Sequence, residues 1–193
     1  MSVQKEVVPT LVQKSQNMAY DEDAIFVERI CSGDRLAFEH IYGKYYEKVF
    51  AIAKGVLLNT EEAADAVQEI FTLVYKNISR FDRRARFSTW LFRISVNRSI
   101  QEARKNRNKY RLVELNEALA KAVQEGDDSV DPKIHRSMAR LQPADRAALV
   151  LYYWEELSLE ELAQSLGCTP NAAKTRLYRA RERFRSLYEE VSK

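Results

Sequence analysis

The chain has 193 residues, 46% of them apolar and 31% charged, with a formal net charge of +3. That length holds one ordinary domain or two small ones, and the balance is that of a globular chain with a heavily charged surface. No apolar run approaches a bilayer span, no basic-then-apolar leader opens the chain, and five Gly with four Pro are too few for a turn-rich all-β fold. The expectation is a soluble, cytoplasmic, all-α protein with no membrane insertion.

Residues 1–19 have no hydrophobic period and contain Pro9, which reads as a mobile extension. Asp21 and Asp23 then precede Ala24, Ile25, Val27 and Ile30, a short helix with acid at its positive end, closed by the turn Cys31–Asp34. A longer helix lays down Phe38, Ile41, Tyr42, Tyr45, Val49, Ile52 and Val56 at spacings of three and four. Asn59 or Thr60 caps the next one, whose apolar side is Ala63, Ala66, Val67, Ile70, Phe71 and Val74. Its other side carries Glu61, Glu62, Asp65, Gln68 and Glu69. Such a set is a metal cluster, a solvated face or a docking face for a cationic protein; no His or compact Asp/Asn loop accompanies it, so the metal reading is disfavoured.

The stretch Arg80–Arg111 follows. Eleven Lys and Arg stand there against Asp82 and Glu102, a net of +9, with Phe81, Phe87, Trp90 and Phe92 among them. Cations at that density form a footprint for phosphates, and aromatic rings among them offer faces on which unpaired bases stack. Ser88 is placed to cap a helix reaching about Asn106, with Phe87, Leu91 and Ile94 inward and Arg93, Asn97, Gln101 and Arg104 recurring on a separate polar face. Residues 112–131 reverse the sign: six acids against Lys121, net −5, with Gly126 and Asp131-Pro132 at the end. The first half allows a transient helix and the second half reads as linker.

Beyond it, Ile134, Met138 and Leu141 mark a short helix, and Pro143 starts another running from Ala144 to Glu155. Ser158 and Glu161 make a capping box for a helix that stops at Gly167; Thr169 then caps, and Pro170 takes the first position of the last helix. A capped short helix, a tight turn and a basic helix form a helix-turn-helix pattern. Over Thr169–Ser186 six cations oppose Glu182, net +5, and Ala173, Leu177, Ala180, Phe184 and Leu187 form the inward stripe. Cys31 and Cys168 lack partners at ligand spacing, as do His40 and His135, so neither a disulfide, a zinc site nor a nucleophile–base pair is expected.

Taken together, these segments resemble a bacterial RNA polymerase sigma factor of the extracytoplasmic-function type (group 4), over about Asp21 to Val191. DRLAFEHIYGKYYEKVFAIA (34–53) is similar to the first segment of sigma domain two, and DAVQEIF (65–71) to the segment that docks on the polymerase. FSTWLFRISVNRS (87–99) resembles the melting and minus-ten-reading segments, and SLEELAQSLGCTPNAAKTRLYRARERF (158–184) the minus-thirty-five reader of domain four. The resemblance implies sigma domain two over 20–111, an acidic linker over 112–131 and sigma domain four over 132–193. No third domain fits between the halves. It implies no catalysis and no cofactor or metal.

The implied partners are core RNA polymerase (clamp helices of the largest subunit, flap of the second-largest), promoter DNA and an anti-sigma factor. Asp65, Gln68, Glu69 and Phe71 are the implied polymerase-binding set. Arg86, Phe87, Trp90, Arg93, Asn97, Gln101 and Arg104 are implied at the minus-ten element, with Asn97 capturing a flipped base and Trp90 and Phe87 supporting the opened strand. Asn171, Lys174, Thr175, Arg176, Tyr178, Arg179 and Arg181 are implied at the minus-thirty-five element. A linker of about 20 residues reaches ~66 Å when extended, close to the ~70 Å between elements two helical turns apart. Two rival readings are a helix-turn-helix regulator with an N-terminal sensing domain and a metal-dependent nuclease using Glu61, Glu62, Asp65 and Glu69. The first leaves the cation density of Arg80–Arg111 unexplained, and the second lacks a further ligand group.

Overall fold

The computed structural model describes residues 22–110 and 131–191. The expected N-terminal extension, and the acidic linker up to residue 130, lie outside the described residues. Eight α-helices are found among those described: α1 Asp23–Cys31, α2 Arg35–Leu57, α3 Thr60–Asn77, α4 Phe87–Tyr110, α5 Pro132–Arg140, α6 Pro143–Tyr153, α7 Leu159–Leu166 and α8 Pro170–Val191. A 3-10 turn, Ile78–Arg80, joins α3 to the loop before α4. The described residues contain no strand, so the all-α expectation holds.

Caps define most starts. The Asp34 carboxylate accepts from the Leu36 and Ala37 amides at the head of α2, and Asn59 accepts from the Glu62 amide at the head of α3. Ser158 and Glu161 form the reciprocal box expected at α7, and the Thr169 hydroxyl accepts from the Ala172 amide at 3.3 Å as α8 begins at Pro170. Gly167 ends α7 at φ +65, a left-handed conformation that favours glycine. The α4 boundary differs from expectation: the helix begins at Phe87, so Ser88 lies inside it, and it continues to Tyr110. Likewise α6 stops at Tyr153, before the expected Glu155.

The first half packs α2 against α3 and α4, with α1 lying across α2. Ile41, Val49, Ile52 and Val56 of α2 meet Val67, Ile70 and Val74 of α3, and Phe87, Leu91 and Val96 of α4. Each such side chain contributes roughly 1.5–3 kcal/mol by leaving water. Two members of the predicted α2 stripe fall at its edge: Tyr42 is 37% exposed and Phe38 half-buried, their rings packing on Phe71 and Tyr75. Asp23, read from sequence as a helix-end charge, is buried and accepts from Lys44 Nζ at 2.6 Å and the Tyr45 hydroxyl at 2.5 Å. It therefore locks α1 onto α2.

In the second half α5, α6 and α7 surround α8, with Met138, Leu149, Leu162, Ala173, Leu177 and Ala180 at the centre. The two halves also pack on one another, α4 against α7 and α6, and α2 against α6, so a single apolar core runs through both.

Candidate nucleic-acid and polymerase surfaces

On α4 the helical repeat separates the polar face that the sequence suggested into two. Trp90, Asn97 and Gln101 turn toward α3, where with Leu73, Asn77, Arg80, Ile94 and Arg98 they line an open cleft of about 330 Å³. Arg93 and Arg104 turn toward the second half. The Arg93 guanidinium reaches within 3.3–3.5 Å of where a β-carbon on Gly167 would stand, and Arg104 lines a second cleft, about 660 Å³, with Arg176, Arg179 and Arg183 of α8.

Trp90 is half-buried at the floor of the first cleft, its ring 5.5 Å from Phe81 and 5.7 Å from Phe87. Asn97 is exposed and its amide makes no hydrogen bond among the described residues, which leaves both its donor and its acceptor for a base edge. Phe87 corrects one expectation. It is 0% exposed, wedged between Tyr45, Phe81 and Trp90, so it backs Trp90 from below and cannot itself touch a strand. Arg86 is exposed and pairs with Glu161 of the second half at 3.5 Å.

On α3, Asp65, Gln68 and Glu69 share the exposed side, whereas Phe71 is 3% exposed and packs on Tyr42 and Phe38. Phe71 is therefore a core residue that fixes the helix, not a contact on its outer face. Glu69 is not free: the Arg98 Nε and Nη2 both bond its Oε2, and Arg98 Nη2 also donates to Glu102 at 2.9 Å. Neither Arg98 nor Arg80 was singled out as a site residue in the sequence. Arg98 follows Asn97 by one residue, a rotation of about 100° that carries it off the predicted face. Among the described residues no group of three or more His, Cys, Asp or Glu side chains could hold a metal ion.

Along α8, Asn171, Lys174, Thr175, Arg176, Tyr178, Arg179 and Arg181 are all exposed, Tyr178 at 56%. Thr175 returns its hydroxyl to the Asn171 carbonyl at 2.9 Å, and Arg181 donates to the Tyr153 hydroxyl at 3.3 Å, which turns it toward α6. Lys174 and Tyr178 lie one turn apart on the helix, while Arg176 and Arg179 face Arg104 across the second cleft. Between the halves, Lys48 stands 4.0 Å from Glu155, whose side chain is 6% exposed. Burial raises the Glu155 carboxyl above the ordinary carboxylate range, with the Lys48 charge pulling it partway back.

Residues 41–109 match the family model for Sigma-70 region 2, and residues 132–184 the model for Sigma-70, region 4. The chain is 34% identical over 179 residues to the ECF RNA polymerase sigma factor SigW of Bacillus subtilis, covering 86% of this chain and 96% of that one. It is 29% identical to the RNA polymerase sigma-H factor of Pseudomonas aeruginosa, over 86% and 93% of the two chains. Among solved structures it is similar in fold to CnrH in complex with the cytosolic domain of CnrY, with a TM-score of 0.66 at 24% identity over 88% of this chain and 99% of that one. It is likewise similar to the sigma factor RpoE in complex with the anti-sigma factor NepR from Bartonella quintana, with a TM-score of 0.58 at 20% identity over 79% and 96%. With region 2 carrying the aromatic cleft and region 4 the basic helix-turn-helix, the chain belongs to the extracytoplasmic-function sigma factors and is an alternative sigma factor.

Proposed function

We propose that this sigma factor docks on core RNA polymerase through the outer side of α3, captures the opened minus-ten strand in the α3–α4 cleft and reads the minus-thirty-five element with α8. The observation that carries the reading is the cleft itself: a half-buried indole flanked by an unpaired amide and by Arg80, Arg98 and Gln101. An indole offers a base a stacking surface of about 1–3 kcal/mol, an amide recognises one base edge, and guanidiniums hold the adjoining phosphates. Trapping bases in this way offsets the stacking lost when the duplex opens. No covalent step is asked of the protein; synthesis belongs to the polymerase.

Asp65, Gln68 and Glu69 are the proposed docking side chains, and a cationic segment of the largest subunit is the partner their charge fits. Lys174, Thr175, Tyr178 and Arg179 are the proposed major-groove contacts, with Arg176 on phosphate. An anti-sigma factor is the proposed regulator, since one accompanies the sigma factor RpoE in one of the two similar structures. Run-off transcription with core enzyme on a randomised promoter library tests the reading. Start-site selection that depends on the chain supports it; binding to duplex DNA without any effect on core polymerase would replace it with a helix-turn-helix regulator.

A further inference from the structure

The Arg98 guanidinium occupies an unusual place. It is held between Glu69 on the outer side of α3 and Glu102 one turn along α4, and Glu102 is shared in turn with Lys105 at 3.3 Å. The Arg98 side chain is 20% exposed and lines the same cleft as Trp90 and Asn97, whereas Glu69 is 54% exposed and open to a partner. The four charges alternate in sign and cancel. If a cationic group of a partner takes the Glu69 carboxylate, what remains at the cleft wall is Arg98, Glu102 and Lys105, with one positive charge in excess. Glu69 is the exposed end of this pair, so water and a partner's cation can compete there for its carboxylate while Glu102 keeps Arg98 in place. The planar fork of Arg98 suits a phosphate as well as it suits a carboxylate.

We propose that Arg98 is a positioning residue that couples the two surfaces: engagement of Glu69 by polymerase releases Arg98 to the backbone phosphate of the strand entering the Trp90–Asn97 cleft. This rests on the docking and strand-capture reading above and adds a direction to it. The chain alone holds single strands weakly, because Glu69 occupies the guanidinium; the docked chain holds them more tightly. Since coupling between two binding sites is reciprocal, single-stranded DNA must raise the affinity for core polymerase by the same factor.

The test uses the full chain and a short fluorescein-labelled single-stranded oligonucleotide, followed by anisotropy across a salt series. Glu69→Gln, which removes the carboxylate charge as docking would, should tighten binding severalfold. It should also steepen the slope of log affinity against log salt by about 0.7, the signature of one further phosphate contact on a single strand. Glu61→Gln on the same helix removes the same charge outside the network and should move neither reading comparably. In an Arg98→Gln background the gain from Glu69→Gln should vanish, and oligonucleotide should no longer strengthen polymerase binding. Equal effects of Glu69→Gln and Glu61→Gln, or a gain that survives in Arg98→Gln, would overturn the coupling and reduce it to bulk charge. Failure of charge reversal at Asp65 to weaken polymerase binding would instead remove the docking assignment, a result the oligonucleotide titration does not depend on.

Discussion

Gly55 offers the sharpest handle on how the halves are joined. It lies on α2 of the first half, and a β-carbon built there would stand 2.5 Å from Val150 Cγ2 and 3.3 Å from Val150 Cγ1 on α6. Val150 is 3% exposed and β-branched, so it has neither a free rotamer nor solvent into which to move. Gly55→Ala therefore overpacks this contact at a cost of about 1–3 kcal/mol. Alanine also favours helix over glycine by roughly 1 kcal/mol, but α2 is helical whether or not the second half is docked, so that gain drops out of the docking equilibrium. Docking should weaken by roughly 5- to 150-fold. With dyes on native Cys31 and on a cysteine at Ser186 (Cys168 changed to Ser), energy transfer should fall in Gly55→Ala and recover when Val150→Ala is added. Unchanged transfer in Gly55→Ala, or no recovery in the double variant, would refute the contact as a determinant of docking.

Four further outcomes are expected. Asn97→Ala should lower initiation from a duplex promoter by about 10-fold or more, the loss of one base-edge contact, while co-migration with core polymerase survives; equal run-off yield would take Asn97 out of the cleft's chemistry. Asp65→Lys should weaken core binding in a pull-down with no change in the melting temperature of the free chain. Lys174→Ala and Arg179→Ala should each weaken upstream-element protection in footprinting, and Arg176→Ala, at the proposed phosphate contact, should lower the salt slope by about 0.9. Burial lifts the Glu155 carboxyl, so the folded state holds that proton more tightly than the unfolded chain does. The contribution of this group to stability therefore falls as pH rises from the ordinary carboxylate value through the raised one. Glu155→Gln should flatten that part of the plot of melting temperature against pH, and an unaltered slope would count against the assignment.

Much of this architecture can be read from residue order because its signals are local. The capping box at Ser158, Gly167 after α7 and Pro170 at the head of α8 each act within a turn of themselves and are where the sequence puts them, and of the two caps it offered for α3 the structure uses Asn59. The exposed series on α8 is legible for the same reason, since a helix with a single apolar stripe leaves its opposite side open. What the sequence does not convey is what packs on a polar face. Arg93, Asn97, Gln101 and Arg104 recur as one stripe, but α4 has α3 on one flank and α6 and α7 on the other, so neighbours divide the stripe into a cleft and an interdomain seam. For Phe71 and Phe87 the three-and-four spacing already points inward and only the resemblance gave them contact roles; the structure follows the spacing, seating Phe87 beneath Trp90 and Phe71 against Tyr42. Asp23 and the Glu69–Arg98 pair join residues 22 and 29 positions apart, beyond any pattern of three or four.

The docking between the halves combines close approach at glycines with weak ion pairs. The Gly167 turn lies against Arg93 of α4, whereas the proposed simultaneous reading of both promoter elements would place α4 and α8 ~70 Å apart. Two of its close approaches are made at glycines, Gly55 and Gly167, which bring surfaces together without contributing side-chain area of their own. Its ion pairs are long and partly open: Arg86–Glu161 at 3.5 Å, and Lys48–Glu155 at 4.0 Å, where burial of the carboxylate works against the pair. Exposed pairs of that kind contribute about 0–1 kcal/mol, and an imperfectly paired buried carboxylate costs desolvation. The interface is close-packed where glycine permits and weak where charge is used. On the reading proposed above, that combination would let the halves associate in the free chain and separate when polymerase and the two promoter elements engage them.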